Sequence, residues 1–66
     1  MLFVGLRRHL DHEKGEDEII KYELHIKESD ISCLYKDRYG VYISTTFGKL
    51  YKVDYTLKEL RDLCSM

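Results

Sequence analysis

Sixty-six residues, 44% hydrophobic and 35% charged with no proline, make one small folded domain near the lower size limit for independent folding. They do not compose a disordered tail. The net charge of −1 covers an asymmetry, with five basic and eight acidic side chains in residues 1–33 and six and four in residues 34–66; neither half has the strongly basic field of a typical nucleic-acid binder.

Ordering the backbone costs about 1–2 kcal/mol per residue, so a core this small leaves little net stability. A disulfide, a metal or a partner chain often makes up the difference.

The chain begins with Met1-Leu2-Phe3-Val4-Gly5-Leu6, followed by Arg7 and Arg8. The run is too short to span a membrane, and a signal peptide would place its charge before the apolar stretch. It reads as a strand near 2–9, with Leu2, Val4 and Leu6 alternating against Phe3, Gly5 and Arg7. Charge and a glycine from Asp11 to Glu18 break the pattern, which predicts a solvated loop. A second strand near 19–27 places Ile20, Tyr22, Leu24 and Ile26 on one face. Ile19, Lys21, Glu23, His25 and Lys27 lie on the other.

After a turn at Glu28-Ser29-Asp30, a strand near 31–35 carries Ile31, Cys33 and Tyr35 on one face. Lys36-Asp37-Arg38 makes the next turn. Strands near 39–45 and 49–55 flank a turn at Thr46-Phe47-Gly48, and their β-branched and aromatic content supports them independently of pattern. A three-residue loop with Gly48 as the bulge residue pairs Thr45 with Lys49, Ile43 with Tyr51, Val41 with Val53 and Tyr39 with Tyr55. A loop at 36–38 pairs Tyr35 with Tyr39, Cys33 with Val41 and Ile31 with Ile43. A loop at 27–30 pairs Ile26 with Ile31, Leu24 with Cys33 and Tyr22 with Tyr35. The first strand then sets Val4 near Leu24 and Leu6 near Tyr22, with its register loose. Every apolar face lands in phase, as register requires.

A helix near 57–64 closes the chain. Thr56 and Glu59 form a capping box, and Tyr55 and Leu60 a hydrophobic staple. Leu57, Leu60, Leu63 and Cys64 give its apolar stripe. The fold class is α+β: an antiparallel meander of four or five strands with one short C-terminal α-helix on one face. Two helical turns span about 12–15 Å, against about 20 Å for five strands. The sequence therefore predicts an uncovered apolar area, to be met by a homodimer or a protein partner.

In this register Tyr22, Tyr35, Tyr39 and Tyr55 share one row. With Tyr42 and Phe47 they form a candidate partner-binding set, since each tyrosine ring offers apolar area and a polar tip. The plainer reading makes the row the edge of the core. Arg7, Arg8, Lys36, Arg38, Lys49 and Lys52, at strand ends and turns, are candidate phosphate contacts; scattered surface charge is the plainer reading. His9 and His12 stand three apart beside carboxylates, but no further ligand pair completes a zinc site. The acidic run from Glu13 to Glu18 lacks the alternating oxygens of a calcium loop. No metal or cofactor is expected. Without a nucleophile elbow, phosphate loop or metal triad, the chain reads as non-enzymatic. Cys33 and Cys64, in no paired-cysteine motif, point to a reducing, cytoplasmic setting, with one disulfide between them left open.

The stretch Asp30-Ile31-x-x-Leu34, Tyr39-x-Val41-x-Ile43-x-Thr45-Thr46-x-Gly48-Lys49-x-Tyr51-x-Val53 and Thr56-Leu57-Lys58-Glu59-Leu60 resembles the first half of LytTR-type DNA-binding domains. There a strand, a hairpin and a capped helix follow one another. The resemblance covers about half the chain and implies a DNA-binding regulator, although the family's later DNA-contacting segment has no counterpart up to Met66. The order of strands, Gly48-Lys49 turn, Tyr51-x-Val53 strand and short helix is also similar to small flagellar-motility regulators of the FlbD type, whose early Asn-Pro pair is absent. The leading expectation is a regulatory or inhibitory module that binds another protein through a sheet edge or its apolar, tyrosine-bearing face. A LytTR-like transcription regulator is the alternative.

Overall fold

The computed structural model describes residues 1–11, 13 and 15–64. Five strands, β1 (Leu2–Asp11), β2 (Glu16–His25), β3 (Ile31–Asp37), β4 (Gly40–Thr45) and β5 (Leu50–Val53), precede one helix, α1 (Leu57–Cys64). A single 3-10 turn, Glu28–Asp30, links β2 to β3. The protein is α+β, an antiparallel five-stranded sheet with a C-terminal helix, as its alternation and capping signals predict. The charged stretch Asp11–Glu18 is less of a loop than expected, because β1 and β2 extend into it as a long hairpin.

The sheet order is β2-β1-β5-β4-β3. The meander therefore holds for β3-β4-β5, but β2 does not pair with β3; the two form opposite edges. β1 lies between β2 and β5. Its Met1–Leu6 run is apolar on both faces, of which the Phe3 face is buried while Leu2 and Val4 on the other are exposed.

Register decides which side chains meet. Between β4 and β5 it is as predicted: Ile43 faces Tyr51 and Val41 faces Val53, and the Thr45 N–H donates to the Lys49 carbonyl at 2.9 Å. Gly48 adopts the positive φ of 82° that the bulge turn demands. The predicted pairing of Tyr39 with Tyr55 is not formed, since β5 ends at Val53.

Between β3 and β4 the turn is shorter than predicted. The Asp37 carboxylate accepts from the Tyr39 N–H at 2.7 Å and the Gly40 N–H at 3.1 Å, an Asx-type closure of a two-residue turn. Tyr35 then faces Tyr42, and Leu34 faces Ile43. This odd shift turns Cys33 and Tyr35 outward and brings Leu34 in. A bulge between Ile31 and Cys33 returns Ile31 to the core side.

β1 is likewise one residue out of the expected phase: Phe3 faces Leu24 and Gly5 faces Tyr22. Phe3 is 1% exposed and packs edge-on against Tyr55, ring centroids 6.4 Å apart. The Tyr22 ring lies over Gly5, so close that any Cβ there would stand 2.5 Å from its Cζ.

The sheet cannot be flat. Five residue steps from Ile26 to Ile31 span at most about 18 Å, whereas four interstrand spacings cover about 19 Å before any offset along the strands. It curls about the β1–β5 junction. Curling closes Phe3, Leu24 and Ile26 of the hairpin onto Val41, Ile43 and Val53, with Leu60 of α1 completing the buried core. The reciprocal capping box forms: the Glu59 N–H donates to Thr56 Oγ1 and the Thr56 N–H donates to Glu59 Oε1, each at 3.1 Å. Tyr55 and Leu60 both join the core, as a staple requires. The helix-side apolar face is therefore covered, and the expected shortage of cover appears on the other side.

Candidate functional site

Alternation sends Leu2, Val4, Leu6 and Arg8 of β1 to the side opposite Phe3 and Gly5. Their antiparallel partners follow, so Ile19, Lys21 and Glu23 share that outer side. From the other strands come Leu50 and Lys52, then Tyr42, then Cys33 and Tyr35. Ile19 is 69% exposed, Leu2 58% and Leu50 51%. No other described element covers this side, and apolar area gathered on one uncovered side can mark a binding surface.

Tyr35 and Tyr42 stack at 5.3 Å between centroids, inclined by 21°. Desolvation, then the Asp37 carboxylate and the Tyr35 and Tyr39 phenols, push the Tyr42 hydroxyl above its usual range. It remains a neutral donor and acceptor near neutrality. Charges on this side are largely matched. Arg8 pairs with Asp17, whose hydrogen bond and charge raise the guanidinium pKa. Lys21 Nζ lies 3.0 Å from Asp54. The Lys52 stem rests against Gly40 and has no carboxylate within ion-pair distance among the described residues. Leu6, Arg7, Arg8, Asp17, Ile19 and Lys52 line a shallow cleft of about 370 Å³. Such a surface can bind by burial and orient by charge.

The expected tyrosine row is not assembled. Tyr22 covers Gly5 on the core side, and Tyr35 faces outward. Tyr39 stands in the β3–β4 turn, 63% exposed, with the Arg38 guanidinium 4.9 Å over its ring. The Tyr55 hydroxyl accepts from the Val4 N–H at 2.9 Å, a structural role. Phe47 is exposed at the β4–β5 turn. Of the five tyrosines and one phenylalanine proposed from sequence, only Tyr35 and Tyr42 come together on the outer side.

Of the six basic candidates, Arg7, Arg8 and Lys52 line the cleft; the other three lie apart from it. Arg7 and Arg8 point to opposite sides of β1, and Arg8 is paired. Lys36 faces Val41 on the helix side, Arg38 covers Tyr39, and Lys49 lies by the far turn. His12 of the histidine pair lies outside the described residues. Among those described, no group of three His, Cys, Asp or Glu is placed to hold a metal. Cys33 and Cys64 are free thiols. Burial, then the Glu28 carboxylate, push the Cys64 thiol up. Among the described residues, no helix is long and apolar enough to cross a membrane.

The sequence reading missed Val4, Leu6 and Leu50 as surface residues. The available signal was the Met1–Leu6 run itself, apolar on both faces, which cannot bury both unless something covers each. Compared with known proteins, the chain matches no family model, no curated protein and no solved structure.

Proposed function

We propose that this chain is a small non-catalytic regulatory or inhibitory module of a reducing, cytoplasmic compartment that acts by binding another protein. The observation that carries the reading is the outer side of the sheet, where Leu2, Ile19 and Leu50 are exposed on the same side as the stacked Tyr35–Tyr42 pair. A monomer gains nothing from leaving that area in water, and a protein partner gains by covering it. Free thiols at Cys33 and Cys64 accord with a reducing setting.

The test is affinity capture from a lysate of the encoding cell, treated with nuclease and washed in high salt. Wild-type chain is compared with an Ile19→Lys/Leu50→Lys variant whose fold is confirmed by circular dichroism. One protein retained by wild type and lost by the variant is the expected result. Recovery of nucleic acid alone, with affinity falling steeply as salt rises, would favour the LytTR-like alternative, three of whose six candidate basic residues, Lys36, Arg38 and Lys49, lie apart from the cleft.

A further inference from the structure

Beyond Gly5, β1 leaves β5. Among the described residues the ladder between them holds one pair, Gly5 with Val53, beside a hydrogen bond from the Asp54 N–H to the Val4 carbonyl. Which backbone groups this leaves open follows from alternation. Met1 and Ile26 exchange both hydrogen bonds, N–H and ammonium to carbonyl, at 3.0 and 2.7 Å. The odd-numbered residues of β1 therefore direct their N–H and C=O toward β2, and the even-numbered ones toward β5. Val4 obeys this rule. Arg8 and Leu10 then present their N–H and C=O where β5 no longer follows. Across the gap, Thr45 bonds Lys49, so Leu50 turns its own backbone groups toward β1 by the same count.

We propose that this inner edge of β1, from Arg7 to Leu10, takes an extended, acidic-apolar peptide segment of the partner as an added strand. The inference rests on the protein-binding reading and names where and how the partner sits. Two features select this edge over the others. The β3 edge is interrupted by the bulge between Ile31 and Cys33, a device that discourages strand addition, and β2 carries Asp17, Glu18 and Glu23, carboxylates that repel an acidic occupant. The inner edge instead opens onto Leu6, Ile19 and the cleft. Charge selects the occupant. Acidic Asp17 and Glu18 lie on β2, whereas β1 carries Arg7 and Arg8, and Lys52 stands across the gap; Arg7 and Lys52 have no ion-pair partner among the described residues. A strand bearing carboxylates between apolar residues would pair the open amides, turn its carboxylates to the side of Arg7 and its apolar side chains to the side of Leu6 and Ile19, with Lys52 adding positive charge across the gap.

The test uses the full chain and three fluorescein-labelled eight-residue peptides. One alternates valine with glutamate, one valine with lysine, and the third is the glutamate peptide N-methylated at every amide. Anisotropy should give at least tenfold tighter binding for the glutamate peptide than for the lysine peptide, and none for the methylated one. Hydrogen exchange should slow at the Arg8 and Leu10 amides on saturation. An Arg7→Glu/Lys52→Glu variant should reverse the preference; should it fail to fold, Arg7→Glu alone should narrow it at least threefold. Equal binding of glutamate and lysine peptides, retained binding of the methylated peptide, or no binding by any would overturn the proposal. So would protection of the Arg8 and Leu10 amides that grows with protein concentration alone, since a second copy would then occupy the edge. None of these results removes the protein-binding reading, which the capture experiment decides separately.

Discussion

Gly5 should be more sensitive than its place in an open strand suggests, and for one reason. A Cβ there would lie 2.5, 2.7 and 2.9 Å from Cζ, Cε1 and Cε2 of Tyr22. Carbon atoms rest at about 3.5–4.0 Å, so Gly5→Ala must drive the ring back by roughly 1 Å. Gly5 has no positive φ, so alanine is conformationally welcome and only the ring opposes it. Overpacking of this kind costs about 1–3 kcal/mol. Replacing glycine within a strand returns about 0.5–1 kcal/mol by restricting the unfolded chain. The net expectation is a loss of roughly 0–2.5 kcal/mol, whose middle, about 1 kcal/mol, is already a large share of the stability of so small a domain. Removing the ring should reverse the sign. In a Tyr22→Thr background, which keeps a strand-forming residue, Gly5→Ala should stabilise by about 0.5–1 kcal/mol. Urea unfolding of the four proteins measures the coupling directly. An equal loss in both backgrounds would refute the argument that the Tyr22 ring is what excludes a side chain at position 5.

Thr56→Ala should cost about 1 kcal/mol by urea melts, since it frees the Glu59 N–H and dissolves the capping box; Glu59→Ala added to it should then cost less than it does alone, because the two bonds are reciprocal. At Cys64 the folded chain holds its thiol proton more tightly than the unfolded chain does. Stability should therefore be full below the ordinary thiol range and decline as pH rises through and above it. Iodoacetamide labelling followed by mass spectrometry should find exposed Cys33 modified first, and Cys64 reacting with a midpoint above the usual thiol value.

Local signals were read correctly where the physics is local. The Thr56–Glu59 cap, the extent of α1 and the Gly48 bulge turn each depend on a few adjacent residues, and the β4–β5 register follows from that one turn. Asp37 was the available clue to the next turn: an aspartate two residues before Tyr39 and three before Gly40 can close a tight turn with its own carboxylate. Counting apolar alternation alone gave a loop one residue longer, and the error carried Tyr35 and Cys33 to the wrong face. The candidate partner-binding set inherited that error, because a face is only as secure as the turn that sets its phase.

Composition and alternation alone determined the class of the fold: α+β, with four or five antiparallel strands and a capped C-terminal helix. Strand order was a tertiary decision. Pairing β1 with β5 buries Phe3 beneath Tyr55 and brings Val53 beside Gly5, contacts across some fifty residues that no local pattern encodes. That choice left Val4, Leu6, Ile19 and Leu50 outside and parted β1 from β5 at Arg7. Burial of one apolar face is required by the hydrophobic effect; which face, and which edge stays open, is settled only when the hairpin finds its neighbour.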